Sequence, residues 1–301
     1  MSPLVTVVIA TRDRAELLRR AIRSVLAQDV AGFLEIVVVF DGSPVDPLDD
    51  VGPGRHMLRT VANTRTPGLA GARNTGILAA RAEAVAFCDD DDEWEPGKLA
   101  SQLPLLEDPD VVLAATGIRI LSSGGSHVRT PPATTRLDDL VRSRITELHP
   151  SSFLLRTHDL RGRLGLVDEE LPTGYGEDYD LLLRAARIGA VAAVPDPLTI
   201  VHWDRASFFT ERWQGIVDGL GYLLDKHPEF AGSATGRARV EGQIAFAHGA
   251  LGSLADARHW AGRALRDDRR QARAYLALCV GLRLVSGPRI VRALNARGRG
   301  V

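Results

Sequence analysis

Three short runs rich in β-branched residues, LVTVVIA at 4–10, EIVVVF at 35–40 and AVAFC at 84–88, each break off into a polar cluster. The clusters are Thr11-Arg12-Asp13, Asp41-Gly42-Ser43 and Asp89-Asp90-Asp91-Asp92-Glu93. A continuous apolar run without alternation reads as a strand buried on both faces, which needs helices on both sides of its sheet. The intervening segments supply them. ELLRRAIRSVLAQ places Leu17, Leu18, Ile22, Val25 and Leu26 at helical spacing, and Leu69–Arg81 reads as a helix opened by the Gly68/Gly71 loop. Residues 57–62 predict a short strand, Pro96 to Leu106 a helix and Val111 to Arg119 a further strand. Strands alternating with helices argue a doubly wound α/β sheet. Such sheets bind ligands beyond the carboxyl ends of their strands, so the three clusters should converge on one crevice.

The remainder of the chain is less regular. Gly, Ser, Thr and Pro crowd 122–135, which reads as loop. A helix over Leu137–Ser143, a strand over Ser152–Arg156, a helix over Tyr179–Ile188 and two last strands, Ala190–Val194 and Leu198–His202, follow. From about Ser207 the pattern turns helical, which divides the chain into an α/β domain at 1–210 and an all-α region at 211–301. There, two helices meet near Gly252-Ser253 and a third covers Ala272–Leu284. Small residues at Ala245, Gly249, Ala257 and Ala264 give the first pair a tetratricopeptide-like look, although a single pair is not an array and packing onto the main domain is the favoured reading.

Charge is also divided unevenly along the chain. The 301 residues carry 37 basic and 38 acidic side chains. Residues 231–301 hold 13 Arg and 4 acidic residues, a balance of +9, and the rest of the chain balances at −10. The basic tail, ending in PRIVRALNARGRGV, is expected to dock on the acidic part or to lie against an anionic membrane surface. The two cysteines, Cys88 and Cys279, are too few for a disulfide framework or a cysteine metal site, and fit a reducing compartment. No apolar run reaches the ~18 residues of a membrane span. The opening MSPLVTVVIATRDR lacks a basic start and a small-residue cleavage site, so a cytoplasmic protein, peripheral at the membrane at most, is expected.

The run at 89–93 says most about chemistry. Charge runs are usually solvated faces. This one follows a buried strand directly, precedes Trp94 and stands where α/β folds bind ligands. An oxygen-rich, cysteine-free cluster suits Mg²⁺ or Mn²⁺, which complete their shells with substrate phosphates and water.

With these pieces in order, the chain resembles a family 2 glycosyltransferase of GT-A fold. The matching segments are VTVVIATRDR, EIVVVFDGS, GLAGARNTGI, AFCDDDDEWEPGKL, HPSSFLLR and GYGEDYDLLLRAARIG, which span about residues 4–205. The resemblance implies a nucleotide-sugar donor such as a UDP-sugar, a glycan, lipid-linked or small-molecule acceptor, no nucleic-acid partner, a divalent cation, and inversion at the anomeric carbon. It places Thr11, Arg12, Asp13, Asp41, Arg73, Asn74, Asp89 and Asp90 around the nucleotide. Asp91, with Asp89 and His202, would hold the metal, and Asp178 or its neighbour Glu177 would be the catalytic base. The chain departs from the family in having Phe40-Asp41 where two acidic residues often precede Gly-Ser.

Plainer roles stand beside these. Glu177 or Asp178 could cap the following helix, where carboxylates are favoured by unpaired amides and the helix dipole. His202 could be structural, and His149-Pro150-Ser151-Ser152 could be a turn or line the acceptor side. Trp94 and Trp203 could stack on sugar or pack in the core. A nucleotidyltransferase of similar sheet lacks support, since the chain has no glycine- and lysine-rich phosphate loop. A non-catalytic sugar- or protein-binding relative would not need intact acidic sites.

Overall fold

The computed structural model describes residues 2–203, 213–282 and 284–285. In chain order the elements are β1 (Thr6–Thr11), α1 (Ala15–Leu26), β2 (Glu35–Phe40), β3 (Met57–Ala62), α2 (Leu69–Ala79), β4 (Ala84–Phe87), β5 (Glu93–Trp94), α3 (Lys98–Gln102) and β6 (Val111–Ser122). Then come β7 (Gly125–Arg129), β8 (Thr134–Thr135), α4 (Leu137–Arg142), β9 (Leu154–Arg156), α5 (Thr157–Arg161), α6 (Glu177–Ile188) and β10 (Ala190–His202). The chain continues with α7 (Trp213–Lys226), α8 (Ala234–Leu251), α9 (Leu254–Asp267) and α10 (Ala272–Gly281). It forms two compact units: 1–136, 145–169 and 180–204 in the first, and 137–144, 170–179 and 205–301 in the second.

The first unit is a doubly wound mixed sheet in the order β3-β2-β1-β4-β9-β6-β10-β5, with β7 on β6 and β8 on β10. Strands β3, β2, β1 and β4 run parallel, whereas β9 runs antiparallel to both β4 and β6. Every residue of β2 is buried, as a strand covered on both faces requires. Helix α1 turns Leu17, Leu18, Ala21, Ile22 and Val25 inward, the predicted stripe. Helix α2 lies so close to β1 that a Cβ on Gly76 would stand 2.3 Å from Val8 Cγ1, so only glycine fits there.

Three elements differ from expectation. The helix predicted to Leu106 is α-helical only to Gln102 and continues as a 3-10 turn over Leu103–Glu107, because Pro104 offers no amide to the ladder. The loop predicted over 122–135 contains the hairpin partner β7, an exposed edge strand without apolar alternation. The two strands predicted at 190–194 and 198–202 are one strand. The prolines at 195 and 197 interrupt its register against β6 without ending it, and Gly117 leaves room for the displaced backbone, since a Cβ there would meet the Pro195 carbonyl oxygen at 2.5 Å.

The second unit is all-α in its regular structure. Ala238, Ala245, Phe246, Ala261, Ala264, Ala274, Ala277 and Val280 form its core, and Trp213 meets Phe246 edge to face at 5.7 Å. Alanine at the contacts lets the helices approach closely. Among the described residues no helix is long and apolar enough to cross a membrane. The terminal PRIVRALNARGRGV lies outside the described residues.

Under the sheet's carboxyl edge Lys98 is wholly buried. Its ammonium donates to Gln102 Oε1 at 2.7 Å and sits 3.9 Å above the Trp94 ring. Burial without a carboxylate partner pulls it down to about 7. Below that value the lysine is protonated in folded and unfolded chains alike. Above it the folded chain holds fewer protons than the unfolded one, so stability rises with pH. Urea unfolding should show a gain of about 2 kcal/mol between pH 7 and 8.5, and Lys98→Met should abolish this slope. The window stops there because the Cys88 thiol, pushed up by burial, opposes the trend once unfolded thiols ionise.

Candidate active site

The parallel strands β1, β2 and β4 deliver their polar clusters to one edge, as predicted. The run after β4 turns tightly, with Asp92 N–H donating to Asp89 O at 3.1 Å, and its carboxylates diverge. Asp89 accepts from Arg73 Nη2 at 2.7 Å. Asp90 accepts from Thr11 Oγ1 at 2.7 Å and from Arg14 Nη1 at 3.0 Å. Asp91 takes the same Arg14 nitrogen at 2.8 Å. Asp92 accepts from Ser151 Oγ at 2.5 Å, and Glu93 meets His202 Nε2 at 2.8 Å and Arg20 Nε at 3.1 Å.

Burial and neighbouring charge act on this run. Desolvation lifts Asp90 to about 6, against the hydrogen bond from Thr11 and the charge of Arg14. Asp92 is raised well above the usual carboxylate range, first by burial, then by the charges of Asp89 and Asp91. A cation would relieve that cost, and the geometry offers it a seat: ligand atoms of Asp89, Asp92 and His149 all lie within 4.8 Å of one another. Two carboxylates and an imidazole could hold a divalent cation.

This group shares Asp89 with the expected metal set but contains neither Asp91 nor His202. Asp91 is turned to Arg14, and His202 is turned to Glu93 because β5 pairs with β10 at Ile200 and Glu93. The other two members of the group are Asp92 and His149. His149 arrives because β9 pairs antiparallel with β4, Leu154 against Ala86, which lays the preceding 3-10 turn over Pro150–Ser152 beside the loop after β4. That turn also braces the loop. Ser151 Oγ accepts the Asp89 amide at 3.0 Å, and the Ser151 carbonyl accepts Trp94 Nε1–H at 2.8 Å. The HPSS segment thus joins the acid loop, and Trp94 packs in the core.

The other expected nucleotide residues line or shape the same edge. Thr11 is buried on Asp90. Arg12 is exposed, with its guanidinium 3.8 Å from where a Gly42 Cβ would stand, and Asp13 is exposed in the left-handed region at φ 54°. Asp41 accepts from Asn63 Nδ2 at 2.8 Å and from the Gly68 amide at 2.9 Å, fixing the loop that leads into α2. That loop folds back so tightly that a Cβ on Gly71 would stand 1.9 Å from the Thr66 carbonyl oxygen. Arg73 is buried, with its guanidinium 5.5 Å above the Phe87 ring. Asn74 imitates a strand partner: its Nδ2 donates to Val167 O at 2.8 Å and its Oδ1 accepts from Val167 N at 2.9 Å.

Glu169 was not among the expected residues. It accepts from Asn74 Nδ2 at 2.6 Å and Thr66 N at 3.2 Å, and pairs with Arg65. These bonds outweigh its desolvation and hold its carboxyl down at about 2. The stabilisation is present above the ordinary glutamate range and is lost as pH falls toward about 2. Glu169→Gln should therefore cost about 2 kcal/mol at pH 7, and the difference from the natural chain should shrink when urea unfolding is repeated at pH 3.

In the second unit, Asp178 is bound by Arg144, whose Nη2 lies 2.8 and 2.7 Å from its two oxygens. The carboxylate's charge raises Arg144 further above its ordinary value despite burial. Helix α6 starts at Glu177, so both acids stand in its first turn, where the helix dipole favours negative charge.

Comparison with known proteins bears on the fold and the family of the chain. The chain is 32% identical over 209 residues to the pre-mycofactocin glycosyltransferase of Mycobacterium tuberculosis, covering 66% of this chain and 42% of that protein. It is 31% identical over 206 residues to the succinoglycan biosynthesis protein ExoO of Rhizobium meliloti, covering 64% and 58%. It therefore spans about half the length of these curated relatives. Among solved structures, S. aureus TarS 1–349 in complex with UDP-GlcNAc matches with a TM-score of 0.61 at 16% identity, over 98% of this chain and 92% of that one. The mannosyltransferase PcManGT of Pyrobaculum calidifontis, in complex with GDP-Man and Mn²⁺, matches at 0.60 with 21% identity, over 98% and 85%. Both likenesses carry the GT-A-like fold. The model of glycosyl transferase family 2 matches residues 6–162, more than half of the chain, and the chain belongs to that family.

Proposed function

We propose that the chain is a metal-dependent, inverting glycosyltransferase that moves a sugar from a nucleotide-diphosphate donor to a hydroxyl acceptor in bacterial glycan or glycoconjugate synthesis. The observation that carries this reading is the Asp89, Asp92 and His149 group at the sheet edge where the polar clusters of β1, β2 and β4 meet. A divalent cation held there would supply Lewis-acid stabilisation to the departing diphosphate. The nucleotide-bound relatives support a UDP- or GDP-sugar as donor.

The chain's own residues divide the remaining work. Thr11, Arg12, Asp13, Asp41 and Asp90 line the nucleotide side. Arg73 orients Asp89 from behind, and Asn74 and Glu169 hold the neighbouring loop. Asp178 takes the proton from the acceptor hydroxyl as the new bond forms, and Arg144 holds that carboxylate in place. Displacement by a hydroxyl with no covalent sugar–enzyme step inverts the anomeric carbon. Glu177, next to Asp178, adds negative charge in the same helical turn.

Two measurements test the reading. Calorimetry should detect UDP or GDP binding that depends on Mn²⁺, and His149→Ala or Asp92→Asn should raise the Mn²⁺ needed by about tenfold or more. No nucleotide binding in the presence of Mn²⁺ would overturn the donor assignment. In a donor screen followed by nucleotide release, Asp178→Asn should keep nucleotide affinity while turnover falls by about 10²- to 10⁴-fold. Retained turnover would remove Asp178 from the role of base.

A further inference from the structure

Beside Asp178 the second unit gathers more arginines than acids: Arg144 is paired with Asp178, and two further arginines are not paired with a carboxylate among the described residues. Tyr179, 1% exposed, is their pivot. Its hydroxyl donates to Leu140 O at 2.6 Å and accepts from Arg239 Nη2 at 2.7 Å. The guanidinium carbons of Arg144 and Arg239 stand 5.7 and 5.5 Å from its ring centroid. Arg239 reaches Gln243 Oε1 at 3.3 Å, and its Nε is buried with no hydrogen-bond partner. Arg273 enters from the start of α10, packed against Gly242, where an added Cβ would stand 3.5 Å from its own Cβ.

Elsewhere in the same unit arginines find acids: Arg237 pairs with Asp267 at 2.6 Å and Arg263 with Glu241 at 2.7 Å. Among the described residues Arg239 and Arg273 have no carboxylate partner. The charged and titratable groups that act on Arg273 are Arg239, Tyr175 and Arg144. Burial lowers both guanidinium groups from their ordinary value, and the mutual repulsion of the three arginines adds to this. All three are half-buried, so solvent reaches them. Guanidinium groups drawn part-way out of water beside others of the same sign are favoured when an anion completes them. The fork of donors on arginine matches phosphate and carboxylate oxygens.

We propose that Arg144, Arg239 and Arg273 form an oxyanion site next to Asp178, and that the acceptor whose hydroxyl is glycosylated carries a phosphate or carboxylate group that docks there. The acceptor role rests on Asp178 being the base; the anion site itself does not. The surplus charge selects against neutral sugars, and Asp178, tied to Arg144, stands beside the docked anion.

The test is a titration of inorganic phosphate, and separately of acetate, into the full-length protein at fixed ionic strength, with UDP or GDP and Mg²⁺ present in excess to fill the donor side. Phosphate or acetate should bind the natural chain and bind about tenfold or more weakly to Arg239→Gln and to Arg273→Gln. Nucleotide affinity should stay within about twofold, because neither Arg239 nor Arg273 is among the residues proposed to hold the nucleotide. Binding of phosphate alone identifies a phosphorylated acceptor, and comparable binding of acetate a carboxylated one. Failure of both anions to bind the natural chain, or equal binding to all variants, overturns the proposal. Arg239→Lys and Arg273→Lys, which keep the charge and lose the fork, should also weaken binding and serve if a glutamine variant fails to fold. Nucleotide titration of the same samples reports separately on the donor reading, since its failure would leave the anion result intact.

Discussion

Five consecutive carboxylates cannot be packed against a protein without cations, donors or separation, and the candidate site is organised around that constraint. The turn at Asp89–Asp92 sends neighbouring side chains in different directions, so that Arg73, Arg14, Arg20 and Ser151 each answer one or two of them. These partners come from α2, the loop into α1, α1 itself and the turn before β9, which are all fixed by the sheet. Asp92 remains costly. It is buried beside other acids, with a hydroxyl and the His202 backbone amide as its donors, and that residual cost is what a divalent cation would remove.

Much of this was legible in the sequence. Long buried strands show themselves as unbroken apolar runs, and β2 and β3 match their predicted limits. Convergence of the three clusters followed from parallel pairing alone. What escaped was set by pairing that leaves no local trace. His149 joins Asp89 and Asp92 only because β9 enters the sheet antiparallel between β4 and β6. Glu169 lies in a loop with no periodicity, and its three bonds depend on where Asn74 and the 63–68 loop meet it. The edge strand β7 was missed because an exposed strand has no apolar face to reveal it.

The near-neutral total of 37 basic and 38 acidic residues conceals two local imbalances of opposite sign. In the first unit the surplus is acidic and sits at the strand ends. In the second, Arg237 and Arg263 are spent on ordinary ion pairs, while Arg239 and the Asp178-bound Arg144 stand around Tyr179. A donor with a metal-bound diphosphate and an anionic acceptor would call for these opposite environments.

Tyr179 has a consequence for how the chain can be cut. The first turn of α6, with Glu177 and Asp178, belongs to the second unit and is tied through that tyrosine to the Leu140 carbonyl and to Arg239 of α8. A fragment ending at residue 204 would keep every strand, the acid loop and His149, yet would strip the tyrosine hydroxyl of its arginine and Asp178 of the helices around it. Expression of the α/β portion alone would then leave the first turn of α6 without the contacts that anchor it, so the helical region has to be counted as part of what holds that turn in place.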